Sequence, residues 1–187
     1  MSFKVGRFFI YLFMLFFLTA SCHADNVPKS KSVFGIKVGL CGEADIRIDN
    51  HRYSAESGTI FGAFLDLPVY GKFYGGFAAD IGSFDVRVEN SQFLDLSLVL
   101  KAKLGNSDQR LFFRPAIAFG YGMVNKVLLL DETRYFTFQI FAEMLFMFDE
   151  RLGLLCDIGW MSAPSGGDGT YSVTTSPRLM WRGGIVF

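Results

Sequence analysis

Histidine and cysteine are scarce in this chain, two and three residues respectively among 187. His23 and Cys22 lie in the first 24 positions, which leaves His51, Cys41 and Cys156 for the rest. One histidine with no cysteine cluster cannot close a zinc-type site, so no metal is expected, and no cofactor motif is present. Charge of one sign is also lacking. Eighteen basic residues face eighteen acidic ones, with no basic patch and no nucleic-acid-binding motif, so no polyanionic partner is implied and nucleic acid is not expected as one. Beyond the N-terminal segment no run of 18 apolar residues occurs, which excludes a membrane-spanning helix there.

The N-terminus reads as an export signal. Lys4 and Arg7 precede an apolar stretch from Phe8 to Ala20, shorter than the ~20 residues a spanning helix needs and suited to a signal-peptide core. Small residues at Cys22 and Ala24 place cleavage after Ala24. The alternative is lipidation of Cys22, although Leu18 lies four residues before it rather than three. The division expected is a signal peptide over 1–24, a periplasmic N-terminal segment over 25–32 and a folded domain over 33–187.

What is abundant is phenylalanine (22) and glycine (20), within a chain that is 51 % hydrophobic. Apolar residues recur with period two, the strand period. Eight strands are predicted, at Val33–Glu43, Ser57–Leu67, Phe73–Gly82, Gln92–Leu104, Leu111–Met123, Thr133–Phe148, Leu152–Met161 and Val173–Phe187. Short connections (68–72, 105–110, 149–151) alternate with longer ones (44–56, 83–91, 124–132, 162–172). One face of every strand is free of charge, although 19 % of the chain is charged. Examples are Phe34-Ile36-Val38-Leu40, Leu94-Leu96-Leu98-Leu100 and Leu179-Trp181-Gly183-Ile185-Phe187. The opposite face carries Glu43, Asp66, Asp80, Asp95, Glu143 and Asp157 against Lys37, Lys101, Lys103, Arg114, Arg178 and Arg182, interleaved with glycine and alanine.

A soluble sandwich or barrel would put the apolar face inside and the charges outside. Three details favour the inverse. Glycine and alanine suit the crowded axis of a narrow barrel better than a solvated face. The charges are sparse and balanced where a wet surface is dense with Lys and Glu. The chain also ends on an aromatic at Phe187. The expectation is therefore an all-β, eight-stranded antiparallel up-and-down transmembrane β-barrel with short periplasmic turns, longer extracellular loops and both termini periplasmic.

Inside so narrow a barrel the side chains meet, and unpaired charge is costly. A lumen network is expected from Lys37, Asp80, Asp95, Lys101, Arg114, Glu143, Asp157, Arg178 and Arg182, plugging the barrel. A weak repeat, Asp80-Ile-Gly82 and Asp157-Ile-Gly159, should fall at one height near the outer ends of the third and seventh strands. Cys41 takes the inward phase and Cys156 the outward one, so two free, buried thiols are expected. Phe84, Val86 and Val88 slip in phase against the third strand, which predicts a bulge near Gly82-Ser83. The third and fourth strands would then project as a sheet with an open edge, or more simply form an ordered hairpin.

The strand count, the alternation of short and long connections, Arg114-Pro115-x-Ile117-Ala-Phe-Gly120-Tyr in the fifth strand and the final Phe187 together resemble the OmpA/OmpX-like family of small outer-membrane β-barrels. The resemblance spans the whole chain after the signal and implies a bacterial outer-membrane location, with no single activity. It implies contact with outer-membrane lipids. It also implies that Trp181, Ile185 and Phe187 form a C-terminal signal read during biogenesis by the barrel-assembly machinery, with periplasmic chaperones as transient partners.

The role expected is structural, supporting envelope integrity, or interactive through an extracellular partner at the loops. The alternative is a narrow porin-like channel for ions or small solutes. A lipid-modifying enzyme built on His51, Ser54 and Glu56 is the weakest reading, because a loop is a poor place to hold a catalytic set. No catalytic residue is expected.

Overall fold

A computed structural model describes residues 31–49, 51–87, 89–104, 110–128 and 130–187. The expected signal peptide, its cleavage site and Cys22 lie outside the described residues. Eight strands form the staves of a ring: β1 (Val33–Cys41), β4 (Gly58–Tyr70), β5 (Phe73–Val86), β6 (Glu89–Ala102), β7 (Leu111–Val127), β8 (Leu130–Met147), β9 (Gly153–Gly167) and β10 (Val173–Val186). Each is antiparallel to its neighbours, and β1 closes on β10 from Gly35↔Val186 to Cys41↔Met180. Closure pairs every stave on both sides, which leaves no free edge. At the seam the Phe187 N–H donates to the Phe34 carbonyl at 2.8 Å, and the two rings stack with centroids 6.2 Å apart. The terminal aromatic is thus part of the closing pair.

Two elements were not foreseen. Residues 44–56, expected as a long loop, form a hairpin of β2 (Ala44–Ile48) and β3 (His51–Ala55). Where β1 and β4 stop, this hairpin takes their place. β2 pairs with β10 at Val173, Thr174 and Thr175, and β3 meets β5 at Ala55↔Val86. The wall therefore continues past the ends of its two shortest staves. Its two strands are also tied by Arg52, which donates to Asp45 across the hairpin. That hydrogen bond and the adjacent positive charge hold the Asp45 carboxyl below the usual carboxylate range, so the contact persists at neutral pH and is lost only when pH falls through that lowered value.

The expected bulge at Gly82-Ser83 is absent. β5 stays in register with β6 from Phe73↔Ala102 to Val86↔Glu89. Phe84 and Val86 keep the inward phase, and it is the chemistry of the lumen that changes, from charged to apolar. Nor is there an open edge there, since Glu56 N–H donates to the Asp85 carbonyl. Register shifts occur instead where proline stands: at Pro68, opposite Phe136–Phe138 where Pro164 lies, and between Thr175 and Arg178 at Pro177. Proline cannot donate to the ladder, so a bulge there costs no hydrogen bond.

The alternation has the expected phase in all eight staves. The outward face is apolar and exposed, as at Val38 (61 %) and Trp160 (59 %). The inward face is buried and holds the charges. Inward glycines sit where neighbours need room. A methyl group on Gly62 would collide with the Asp80 carboxylate, and one on Gly120 would meet Ser97 Oγ at 2.6 Å and Asp95 Oδ1 at 2.8 Å. Gly120→Ala is accordingly expected to destabilise the barrel by about 1–3 kcal/mol, read as a lower urea midpoint for loss of the compact, heat-modifiable gel band. The exposed-turn Gly71, where nothing lies within 4 Å of an added Cβ, serves to compare crowding with backbone conformation: its φ of 56° makes any loss there a conformational one.

Candidate functional site: a stapled lumen

The lumen is filled in tiers. Nearest the short turns, β4, β6, β7 and β8 contribute Asp66, Lys101, Arg114 and Glu143. Lys101 Nζ lies 2.9 Å from Asp66 Oδ2 and 3.0 Å from Glu143 Oε2. Arg114 donates through Nε to Glu143 Oε1 at 2.5 Å and lies 3.2 Å from Asp66 Oδ2 through Nη1. Two bases thus meet two acids in a closed ring of contacts.

A second quartet follows, from β1, β5, β9 and β10. Arg182 Nε donates to Asp157 Oδ1 at 2.7 Å and Nη1 to Asp80 Oδ2 at 3.2 Å. Lys37 Nζ lies 3.4 Å from Asp157 Oδ2. Between the quartets stand Phe64 and Phe141. The Lys101 ammonium is 4.2 Å from the Phe64 ring centre, Lys37 is 5.4 Å from that of Phe141, and the Arg182 guanidinium 5.3 Å from the latter. The rings separate the charge clusters and contribute cation–π attraction to both. All eight charged side chains are buried. Partnered charge of this kind is tolerable in low dielectric; single charges are not.

Above the quartets Asp95 is held by neutral donors: Ser97 Oγ at 2.5 Å, Thr137 Oγ1 at 2.7 Å and Gln139 Nε2 at 3.2 Å. Beyond it the lumen turns apolar. Ile46, Ile60, Phe84, Phe93, Val124, Tyr135 and Met161 belong to one packed cluster that reaches the hairpin end. Arg178 enters this apolar tier.

Of the expected network, Lys37, Asp80, Asp157 and Arg182 come together, as do Lys101, Arg114 and Glu143. Among the described residues Asp95 and Arg178 join no ion pair. Asp66, on the inward phase but outside the expected network, completes the first quartet. Phe64 and Phe141 were also missed, although parity alone places them inward. Glu43 is exposed because β1 ends at Cys41 and parity stops there. Lys103 is half-buried at the short-turn mouth, 3.7 Å above the Phe112 ring. The Asp-Ile-Gly repeat does place Asp80 and Asp157 on one arginine, but at mid-stave rather than at the outer ends. Cys41 is buried and Cys156, on the outward face, only half-buried; both are free.

The residues of the catalytic alternative are not gathered on one face. His51 and Ser54 fall on opposite faces of β3, because successive strand residues alternate, and both are exposed. Among the described residues no group of three histidine, cysteine or carboxylate side chains is placed to hold a metal ion.

Solved structures with this architecture are outer-membrane proteins. OprG of Pseudomonas aeruginosa superposes with a TM-score of 0.57 at 14 % identity, covering 83 % of this chain and 96 % of that one. This chain has the fold of the small eight-stranded outer-membrane β-barrels. The N-terminal barrel domain of Pseudomonas aeruginosa OprF (0.52, 12 % identity, 83 % and 96 % covered) and Neisserial surface protein A (0.50, 7 %, 84 % and 98 %) share it. No protein-family model and no curated protein sequence matches the chain.

The quartets of this barrel make a stability prediction. Arg182→Met leaves Asp157 with Lys37 alone and takes from Asp80 the one ion-pair partner it has among the described residues, and is expected to cost about 3–5 kcal/mol, measured as a fall in the urea midpoint of the folded barrel. Replacing the exposed Arg52 by Met should leave that midpoint unchanged.

Proposed function

We propose that the chain resides in the bacterial outer membrane as a non-conducting barrel, with short turns in the periplasm and the hairpin end outside. The single observation that carries this is the pairing of an uncharged, exposed exterior with a lumen closed by two balanced ion quartets and an apolar tier. In water the exterior would be an apolar surface far beyond what monomers expose. In a bilayer it is the lipid-facing band. Among the described residues the lumen is filled by paired charges and a packed apolar cluster, which supports a structural or interactive role with no catalysis.

The hairpin end supports an interactive role. Its turns are tied by their own side chains. Asp168 Oδ1 accepts from Thr170 N–H and Tyr171 N–H, both at 2.8 Å, and Asp49 Oδ1 accepts from Ser172 N–H at 2.9 Å. Arg87 lies over the Tyr53 ring at 5.0 Å, joining the β5–β6 tip to β3. A rim held this way meets a partner with little ordering cost. In this reading an N-terminal signal over 1–24 delivers the chain, lipids contact the exterior, and Trp181, Ile185 and Phe187 serve the assembly machinery from the closing stave.

Planar-bilayer recording tests the proposal. The folded barrel should give no steady single-channel steps. Regular steps, with ion selectivity altered by Arg114→Met or Arg182→Met, would establish a channel in its place. Membrane fractionation should place a heat-modifiable band with the outer membrane, and recovery in a soluble fraction would contradict the location.

A further inference from the structure

Among the described residues Arg178 is a buried cation without an ion-pair partner. It is only 6 % exposed, and no carboxylate of the described residues lies within 4 Å of it. Its guanidinium donates through Nη1 to Cys41 Sγ at 3.8 Å, and its Cζ stands 4.7 Å from the Phe84 ring centre. Both are weak partners for a charge removed from water. Every other inward arginine holds two carboxylates.

Arg178 also lines a cavity of about 40 Å³ in the apolar tier, walled by Ile46, Phe84, Phe93, Val127 and Met161. A second polar group faces the same cavity: Thr133, 1 % exposed, whose Oγ1 makes no hydrogen bond. The space admits about three water-sized spheres, roughly the bulk of a short organic acid. Its position beneath the rim, bounded by Ile46 of β2 and Val127 near the β7–β8 tip, puts it on the hairpin-end side of both quartets.

We infer that this cavity is a binding site for a short-chain monocarboxylate. The carboxylate pairs with the Arg178 guanidinium, one oxygen accepts from the Thr133 hydroxyl, and the alkyl tail lies against Phe84, Phe93 and Met161. The anion supplies what Arg178 lacks, and the apolar wall selects a tail that water-soluble dianions do not have. The two quartets below block onward passage, so the site holds a ligand at the outer end and conducts none.

The test is a titration of the folded barrel in detergent micelles with sodium butyrate, followed by NMR at the Thr133 and Met161 methyl groups. Saturable shifts with a midpoint on the order of 1 mM are expected for so small a ligand. Butan-1-ol, of the same length without the charge, should bind about tenfold or more weakly, as should butyrate to Arg178→Met. Ala163→Phe fills the cavity and leaves the arginine in place. It should abolish the shifts, and it keeps the test decisive if Arg178→Met does not fold. Equal affinity for butanol and butyrate, undiminished binding to Ala163→Phe or to folded Arg178→Met, or no shift at tens of millimolar butyrate would overturn the assignment.

Discussion

A charge removed from water must find an opposite charge within the same few ångströms, and the interior of this barrel is organised by that requirement. Lys37, Lys101, Arg114 and Arg182 reach across the lumen to acids on other staves. These four contacts tie strands that are not adjacent in the ring, while Arg114–Glu143 and Arg182–Asp157 join neighbouring staves at paired positions. The glycines are the counterpart of those long side chains: the Asp80 carboxylate occupies the place where a side chain at Gly62 would be. Phe64 and Phe141 stand between the quartets and give Lys37, Lys101 and Arg182 a π face. Interior charge here serves as mechanical cross-bracing.

The same barrel solves its ends differently. At the closing seam the C-terminal residue pairs with the first stave, so Phe187 completes the ladder as well as the apolar band. At the hairpin end β1 and β4 are too short, and the β2–β3 hairpin carries the wall onward between β10 and β5. The prolines absorb irregularity, since three of them sit at or opposite register shifts and relieve the ladder where no donor exists. Above the quartets an apolar core replaces charge, which lets the rim be built by ordinary packing.

The fold was legible because a strand wall with one apolar and one polar face leaves a period-two record that loops do not blur. The strand phases, the closing last stave and most members of the ion network follow from parity. What parity cannot convey is distance across the lumen. Asp95 shares the inward phase with the quartet acids yet is satisfied by Ser97, Thr137 and Gln139, and nothing in the order of residues separates it from Asp80. Asp66 is the converse, an inward acid whose partners only the ring geometry reveals. The hairpin at 44–56 reads as a loop because its strands are five residues each and polar at their tips. The slip at Phe84 looked like a bulge because a change in the chemistry of the lumen imitates a change of face.

In the proposed non-conducting barrel no water runs through the quartets. Proton exchange of arginine side chains tests it directly, by NMR on the folded barrel in lipid nanodiscs. The account predicts that the Nε protons of Arg182 and Arg114, both hydrogen-bonded inside the lumen, exchange far more slowly than that of the exposed Arg52. Exchange of Arg182 and Arg114 at the rate of Arg52 would mean that water runs through the quartets, and would contradict a closed lumen.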